Sequence, residues 1–199
     1  MFGGPVRWGA CRFIAGRRGS VHAMTNRRFT ELAYERRGPA GWITLDRPSR
    51  RNALSPTMLR ELHEVLDLAS RDAELRLLVI TGSGGAFCTG TDAGYYWRTV
   101  GVDDGISRVV DELVEPFAEF VARLRNVPYP VIAAVNGACL AAGLEIVRCC
   151  DLIITETREQ SEPIALHRRV EKLTGVLGAQ PTASLRELKA MAARAAVAG

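Results

Sequence analysis

Two glycine-containing segments hold residue types from which a site for anionic intermediates can be built. The first is GSGGAFCTGTD at 82–92, and the second is NGACLAAGLE at 136–145. Small residues let a ligand approach the backbone closely, and the first N–H groups of a helix have no partner within that helix. Two such N–H groups aimed at one point stabilise negative charge on a carbonyl oxygen. The segments therefore predict an oxyanion hole.

A single carboxylate, Glu145, ends the second segment within a helix of mostly apolar residues. A carboxylate in that position is suited to general acid–base catalysis. The plain structural alternatives are a glycine-rich turn of the kind common in α/β proteins and a solvated helical glutamate. The first segment lacks the Lys-Ser/Thr ending of a P-loop and the GxGxxG spacing of dinucleotide-binding folds, so neither class is predicted.

Hydrophobic periodicity predicts that strands and helices alternate along the chain. The predicted strands, of which the first two form an opening hairpin, are 29–37, 42–45, 75–81, 131–135 and 151–155. The predicted helices are 55–68, 104–126, 140–149, and a C-terminal pair that starts at 164 and is broken at Gln180-Pro181. This alternation is typical of an α/β fold with mostly parallel strand pairing.

The composition excludes several classes of protein. A chain of 199 residues that is 47% hydrophobic and 24% charged is long enough for one sizeable core and is unlike disordered or coiled-coil sequences. No apolar run approaches the roughly 20 residues of a membrane span. No basic stripe is interleaved with aromatic residues, and the three histidines are far apart, so neither nucleic-acid nor metal binding is predicted. Five cysteines without CxxC spacing fit a reducing compartment.

Residues 1–26 are predicted to be a leader or upstream extension, without fixed structure, outside the folded core. Six arginines and no acidic residue occur in residues 1–30, so the net charge of +4 comes from this end. Such a composition is typical of a mitochondrial transit peptide, although serine is scarce. The alternative is an extension upstream of Met24. We therefore expect the cytoplasm for a bacterial protein, with the mitochondrial matrix as the alternative for a eukaryotic one.

Three motifs in register carry a resemblance to a known family. They are RPSRRNALS at 47–55, GGAFCTGTD at 84–92 and PVIAAVNGACLAAGLEIVRCCDLIIT at 130–155. Together they resemble the enoyl-CoA hydratase/isomerase, or crotonase, superfamily over about residues 27–157. The resemblance implies a spiral of ββα units with C-terminal helices and assembly as a homo-oligomer, a trimer or hexamer. It also implies an acyl-CoA thioester as substrate and no metal or redox cofactor, since coenzyme A is part of the substrate.

The resemblance also implies roles for individual residues. The backbone N–H groups of Thr91 and Ala142 would form the oxyanion hole, and Glu145 matches the first catalytic glutamate of the hydratases. The residues matching the coenzyme-binding loop and the pantetheine tunnel are Arg50, Arg51, Ala53, Thr89 and Asp92. The aromatic residues 95–97 are expected either to line the acyl pocket or to form a core or interface patch.

The chain departs from the family pattern after residue 155. The family continues with a segment that bears a second catalytic carboxylate, whereas this chain reads ETREQSEP at 156–163 and then resumes with helical sequence. The fold is therefore expected to be a shortened one, with a core at 27–160 and a C-terminal helical segment at 161–199. The resulting hypothesis is an enoyl-CoA hydratase, impaired if the second carboxylate is required. The alternatives are a non-catalytic variant that binds acyl-CoA or homologous subunits, and an isomerase or another reaction of the superfamily.

Overall fold

A six-stranded sheet forms the centre of the computed structural model, which describes residues 26–155 and 163–198. In chain order the strands are β1 (Asn26–Arg28), β2 (Leu32–Arg37), β3 (Ala40–Leu45), β4 (Leu77–Gly82), β5 (Ala86–Cys88), β6 (Val131–Val135), β7 (Ala138–Cys139) and β8 (Leu152–Thr155). The large sheet has the order β1-β2-β3-β4-β6-β8, and β5 and β7 form a separate pair. The first three strands are antiparallel, and the others pair in parallel.

Helices connect and cover these strands. They are α1 (Pro56–Ser70), α2 (Ala93–Val100), α3 (Gly105–Val109), α4 (Glu115–Arg125), α5 (Ala142–Arg148), α6 (Pro163–Gly178) and α7 (Thr182–Ala198). A π-helical turn over Val110–Val114 joins α3 to α4 without a break. None of the helices in the described ranges combines the length and the apolar character that crossing a membrane requires.

Local sequence explains where the first elements begin and end. Gly38 has a φ of +55° in the turn between β2 and β3, a conformation that glycine adopts without strain. The Ser55 hydroxyl accepts the N–H of Met58 at 3.1 Å, and Pro56 occupies the first position of α1. A capping hydroxyl followed by proline is a strong start signal for a helix, so α1 begins where the sequence predicts.

Apolar side chains cover both faces of the large sheet. On one face, Ile43, Ile80 and Ala133 pack into the larger core with α1, α4 and α5. On the other face, Trp42 and Val79 pack against α6. Central strands buried on both faces read as unbroken apolar runs in the sequence, as LLVIT in β4 does.

The predicted strand–helix alternation agrees with these elements, and the differences have local causes. The hairpin, the two buried strands β4 and β6, the edge strand β8 and the C-terminal helix pair are found. The sequence does not predict β1, the short strands β5 and β7, or α2. The predicted helix over 104–126 is continuous but contains the π-helical turn. The first strand begins at Asn26, the last residue of the predicted leader, because the Asn26 side-chain oxygen accepts the Arg36 N–H at 3.1 Å. The rest of that leader lies outside the described residues.

The C-terminal helical segment is anchored to the sheet through a shielded ion pair. Nζ of Lys189 in α7 lies 2.9 Å from Oδ2 of Asp151, which also accepts the N–H of Val131 at 2.8 Å. Both charged side chains are largely buried. Because Asp151 immediately precedes β8, this contact fixes α7 against the start of the edge strand.

Candidate active site

The two glycine-containing segments lie side by side. β5 and β7 pair in parallel with Cys88 opposite Cys139, and the N–H of Leu140 donates to the carbonyl of Cys88 at 3.0 Å. Gly143, in the first turn of α5, is so close to Cys88 that any Cβ there would overlap its carbonyl group. Glycine is therefore required at this contact, and the contact holds the first segment against the start of α5.

Gly90 brings the backbone of the first segment to the N-terminus of α5. Its φ is +98°, and a Cβ at this position would lie 2.9 Å from Cβ of Ala141 and 3.6 Å from the nitrogen of Ala142. Both the backbone conformation and the space exclude a side chain. Thr91, the next residue, consequently lies beside the helix start that contains Ala142.

The N–H groups of Thr91 and Ala142 are available to a ligand. Neither donates a hydrogen bond to another described residue, whereas the N–H of the next residue, Asp92, donates to the carbonyl of Leu54 at 2.8 Å. Backbone donors left unpaired next to a cleft are suited to hold an oxygen atom that gains negative charge. Their role as an oxyanion hole stays a prediction, which this geometry supports.

An apolar cleft of about 580 Å³ opens beside these backbone groups. Thr91 and Glu145 lie in its wall. The other lining residues are Ala93, Tyr96, Val109, Leu113, Val114, Phe117, Ala118 and Val121. Among the described residues, Glu145 is the only carboxylate in this wall. A cleft of this kind can bind an apolar group whose reactive end carries a carbonyl.

Glu145 is held by an ion pair as well as by its place in the wall. Nη1 of Arg148, one turn further along α5, lies 2.7 Å from Oε1, and the Glu145 side chain is 43% exposed. The expectation of apolar surroundings is therefore only partly met, because the cation lies on the same side of the helix. Oε2 accepts no hydrogen bond from the described residues, which leaves it free to exchange a proton with a ligand or a water molecule.

The guanidinium group of Arg47 joins the loops around the cleft, and this residue with its partners Glu31, Asp92 and Ala53 is called the brace. In Arg47, Nε lies 2.8 Å from Oε1 of Glu31 and Nη2 lies 2.7 Å from Oδ2 of Asp92. Its Nη1 donates to the carbonyl of Ala53 at 3.0 Å. Arg47 thus connects the chain before β2, the loop before α1 and the start of α2.

Asp92 uses its carboxylate within the protein. The side chain is buried, and its Oδ1 accepts the N–H of Tyr95 at 3.0 Å as the N-cap of α2. Burial alone would raise the pKa of Asp92, but the hydrogen bonds from Arg47 and from the Tyr95 N–H outweigh it and hold the pKa below its usual value. Only the backbone of Asp92 remains for the predicted tunnel, because the carboxylate points to Arg47.

Two buried asparagines, Asn52 and Asn136, which are not among the predicted site residues, extend this brace. Asn52 accepts the Arg47 N–H at 2.9 Å and donates to the carbonyl of Ala86 at 2.8 Å. Asn136 accepts the N–H of Gly82 at 3.0 Å. Both asparagines adjoin turns within the quoted motifs, and that position is the signal that identifies them, since a buried amide at a turn replaces missing backbone partners.

The remaining predicted coenzyme-binding residues lie on one loop and its neighbour. Arg50 ends a short 3-10 turn, Arg51 follows with a φ of +50°, and both are exposed. The hydroxyl of Thr89 donates to the carbonyl of Arg51 at 3.2 Å. Ala53 is buried, so it shapes the loop through its backbone. Two cations therefore flank the first segment.

The three aromatic residues at 95–97 have different surroundings, although the rings of Tyr96 and Trp97 meet edge to face with their centroids 5.1 Å apart. Tyr96 lines the cleft, Tyr95 packs against the core and donates its hydroxyl to Glu112, and Trp97 is 70% exposed. The sequence between 156 and 162, where the family pattern would place a second carboxylate, lies outside the described residues. No group of three or more His, Cys, Asp or Glu side chains within the described ranges is placed to hold a metal ion.

Comparison with known proteins found a matching family model and several proteins of similar sequence. The family model described as enoyl-CoA hydratase/isomerase matches residues 37–167. A mitochondrial Delta(3,5)-Delta(2,4)-dienoyl-CoA isomerase from Pongo abelii is 35% identical over 115 residues, 55% of this chain and 35% of the relative. A probable enoyl-CoA hydratase from Mycobacterium leprae is 34% identical over 118 residues, 58% of this chain and 40% of the relative. The matched part thus spans well under half of these relatives.

Solved structures confirm the predicted fold class. An enoyl-CoA hydratase subunit I from Geobacillus kaustophilus superposes with a TM-score of 0.69 at 26% identity, covering 85% of this chain and 83% of that one. A Pseudomonas aeruginosa protein superposes with a TM-score of 0.74 at 22% identity, covering 85% of this chain and 94% of that one. The second similarity supports the fold alone.

Replacing Asp92 by Asn tests the brace through its pH dependence. Because the folded-state pKa of Asp92 is lowered, its contribution to stability is full above the unfolded value of about 3.9 and is lost as the pH falls through the folded value. We expect Asp92→Asn to lower the free energy of unfolding by about 1–3 kcal/mol at pH 7, since it removes a charge-assisted hydrogen bond. Urea unfolding should show this difference shrinking below pH 4. Asp111→Asn, an exposed control, should differ little at any pH, and a pH-independent deficit for Asp92→Asn would contradict the assignment.

Ala141, the residue before the Ala142 donor, is predicted to store backbone strain. Its φ of +46° and ψ of −121° lie in a region that an L residue rarely adopts, at a cost of order 1–3 kcal/mol. Ala141→Gly removes that strain but adds about 0.5–1 kcal/mol of chain entropy cost. We therefore expect a net gain of about 0.5–2 kcal/mol in thermal or urea unfolding. Ala122→Gly, on the exposed side of α4, should instead lose about 0.5–1 kcal/mol, and equal losses in both variants would refute the strain.

Proposed function

Because the chain belongs to the enoyl-CoA hydratase/isomerase family, we propose that it binds an acyl-CoA thioester and acts as an enoyl-CoA hydratase. One observation carries the proposal: Thr91, with its unpaired N–H, and Glu145, with a free carboxylate oxygen, line the same apolar cleft. The third group is the N–H of Ala142. It lies next to Gly90, at the start of α5, the helix that also carries Glu145.

The proposed reaction adds water across the double bond of a 2-enoyl thioester. Glu145 accepts a proton from a water molecule while the water oxygen forms a bond to the β-carbon of the thioester. The π electrons of the double bond move onto the thioester oxygen. The N–H groups of Thr91 and Ala142 stabilise the resulting enolate. Glu145 then returns the proton to the α-carbon, so one carboxylate completes the cycle. This scheme uses backbone donors where other enzymes use a metal, and it transfers no electrons to a cofactor.

The loop before α1 is the proposed contact for coenzyme A. Arg50 and Arg51 are exposed cations without a carboxylate partner among the described residues, and guanidinium groups pair well with phosphate. Thr89, bonded to the carbonyl of Arg51, and the buried Ala53 hold the loop next to the backbone at Asp92. The phosphates would thus bind outside the cleft while the acyl group enters it.

A non-catalytic acyl-CoA-binding role is the second candidate. The observation that favours it is that Glu145 is the only carboxylate in the described cleft wall and is already paired with Arg148. A third candidate is an isomerase, since both isomerases and hydratases occur among the relatives. In that reaction the same carboxylate would move a proton between two carbons.

We further propose that the chain functions as a homo-oligomer, a trimer or hexamer as the family resemblance implies. Exposed apolar side chains next to the site, including Leu140 at 56% and Leu144 at 42% exposure, support a further contact there. The reducing compartment expected from the cysteines is compatible with either the bacterial cytoplasm or the mitochondrial matrix.

Glu145→Gln tests the proposed function directly. Purified protein is mixed with 2-enoyl-CoA thioesters of four to ten carbons, and hydration is followed as loss of the absorbance of the conjugated thioester. Removing the acid–base group should lower kcat by about 10²–10⁴-fold with little change in thioester binding. Glu119→Gln, an exposed change on α4, serves as the matched control.

The possible results separate the candidates. Turnover that survives Glu145→Gln would refute the acid–base role of this residue. Binding of saturated acyl-CoA without any turnover of enoyl-CoA would favour the non-catalytic role, and turnover of 3-enoyl but not 2-enoyl thioesters would favour the isomerase.

A further inference from the structure

One wall of the cleft is a single helical face that crosses the π-helical turn. Val109 precedes the turn, Leu113 and Val114 lie within it, and Phe117 and Val121 follow it in α4. In an uninterrupted α-helix, Val109 and Val121 would be separated by about 120° around the axis. The wider i→i+5 turn holds an extra residue and thereby brings the later side chains round to the side of Val109. The result is a continuous apolar wall.

The polar groups of the cleft are confined to one part of it. Thr91 and Glu145 come from the two glycine-containing segments, whereas the helical wall from Val109 to Val121 contributes only apolar side chains. A ligand with its thioester at Thr91 would therefore place its acyl tail along the helical wall. Val114 in that wall is 54% exposed, so apolar surface remains uncovered without a ligand.

The cleft is much larger than a short acyl group. Its volume of about 580 Å³ lies in the range, roughly 300–1,000 Å³, of pockets that enclose drug-sized ligands. A four-carbon acyl group would leave most of the apolar wall in contact with water. Ala118, which faces the cleft between Val114 and Val121, has the small side chain that keeps this space open.

We infer that the cleft selects acyl-CoA thioesters with apolar chains of about six to ten carbons over four-carbon ones, and that Val114 and Ala118 determine this specificity. The inference rests on the proposed function, because it assumes that the thioester lies at Thr91 and Glu145. It adds the class of acyl group and assigns the specificity to the helical segment that begins with the π-helical turn.

The first test measures binding of saturated thioesters, which cannot turn over. Dissociation constants for butanoyl-, hexanoyl-, octanoyl- and decanoyl-CoA are measured by titration calorimetry. Full burial of a methylene group is worth about fourfold in affinity, and an open cleft gives less. We expect decanoyl-CoA to bind at least tenfold more tightly than butanoyl-CoA. Affinities within threefold of one another, or tightest binding for butanoyl-CoA, would overturn the inference.

Variants with a larger side chain in the cleft wall test whether this wall causes the preference for longer acyl chains. Ala118→Phe places a ring in the cleft, and Val114→Phe provides a second variant at a half-exposed position that should fold even if the first does not. Each is expected to reduce the decanoyl-to-butanoyl preference at least fivefold. Ala122→Phe, an exposed change one turn beyond Ala118 and outside the cleft wall, should leave the preference unchanged. A preference that survives both cleft variants would overturn the assignment of the tail to this wall.

Failure of the inference and failure of the proposed function give different results. Binding of every thioester with equal affinity leaves an acyl-CoA-binding protein and removes only the chain-length preference. Absence of binding for all four thioesters removes both.

Discussion

The guanidinium group of Arg47 is the contact on which the arrangement of the site depends. It connects Glu31 before β2, the Ala53 carbonyl before α1 and Asp92 at the start of α2. All the charged partners are largely shielded from water, so removing one leaves a charge that is costly to bury. Because Asp92 directly follows Thr91, the same contact fixes the predicted oxyanion donor. The asparagine amides of Asn52 and Asn136 continue the brace into the turns beyond β4.

Close backbone packing then brings the second donor to the first. Gly90 and Gly143 occupy positions where a Cβ would collide with the neighbouring segment, and Ala141 is held at a positive φ just before α5. These small residues allow the start of α5 to approach the end of the first segment. Thus the ion pairs of Arg47 position the first donor, and glycines without side chains allow the second donor to approach it. Glu145 lies at this junction because α5 begins there.

Much of the fold and part of the site could be predicted from the sequence. Buried strands such as β4 are short apolar runs that end at a glycine, and the Ser55-Pro56 pair marks the start of α1, so both signals are local. The π-helical turn could not be predicted, because helical periodicity reads Val109 to Val121 as one regular helix. The resemblance implies that Asp92 lines the pantetheine tunnel, and its carboxylate pairs with Arg47, which is 45 residues away. Sequence spacing does not reveal such a pairing, whereas the i+3 spacing of Glu145 and Arg148 on one helix is a signal that predicts theirs.

If the cleft holds the acyl group of a thioester, the carbonyl oxygen of that thioester lies between two backbone donors. A crystal structure of the protein with bound octanoyl-CoA shows whether it does. We expect the thioester oxygen at hydrogen-bonding distance, about 2.7–3.1 Å, from the nitrogens of both Thr91 and Ala142. We also expect the acyl tail to lie along the wall from Val109 to Val121. A thioester bound elsewhere, or one whose oxygen contacts neither nitrogen, would refute this arrangement.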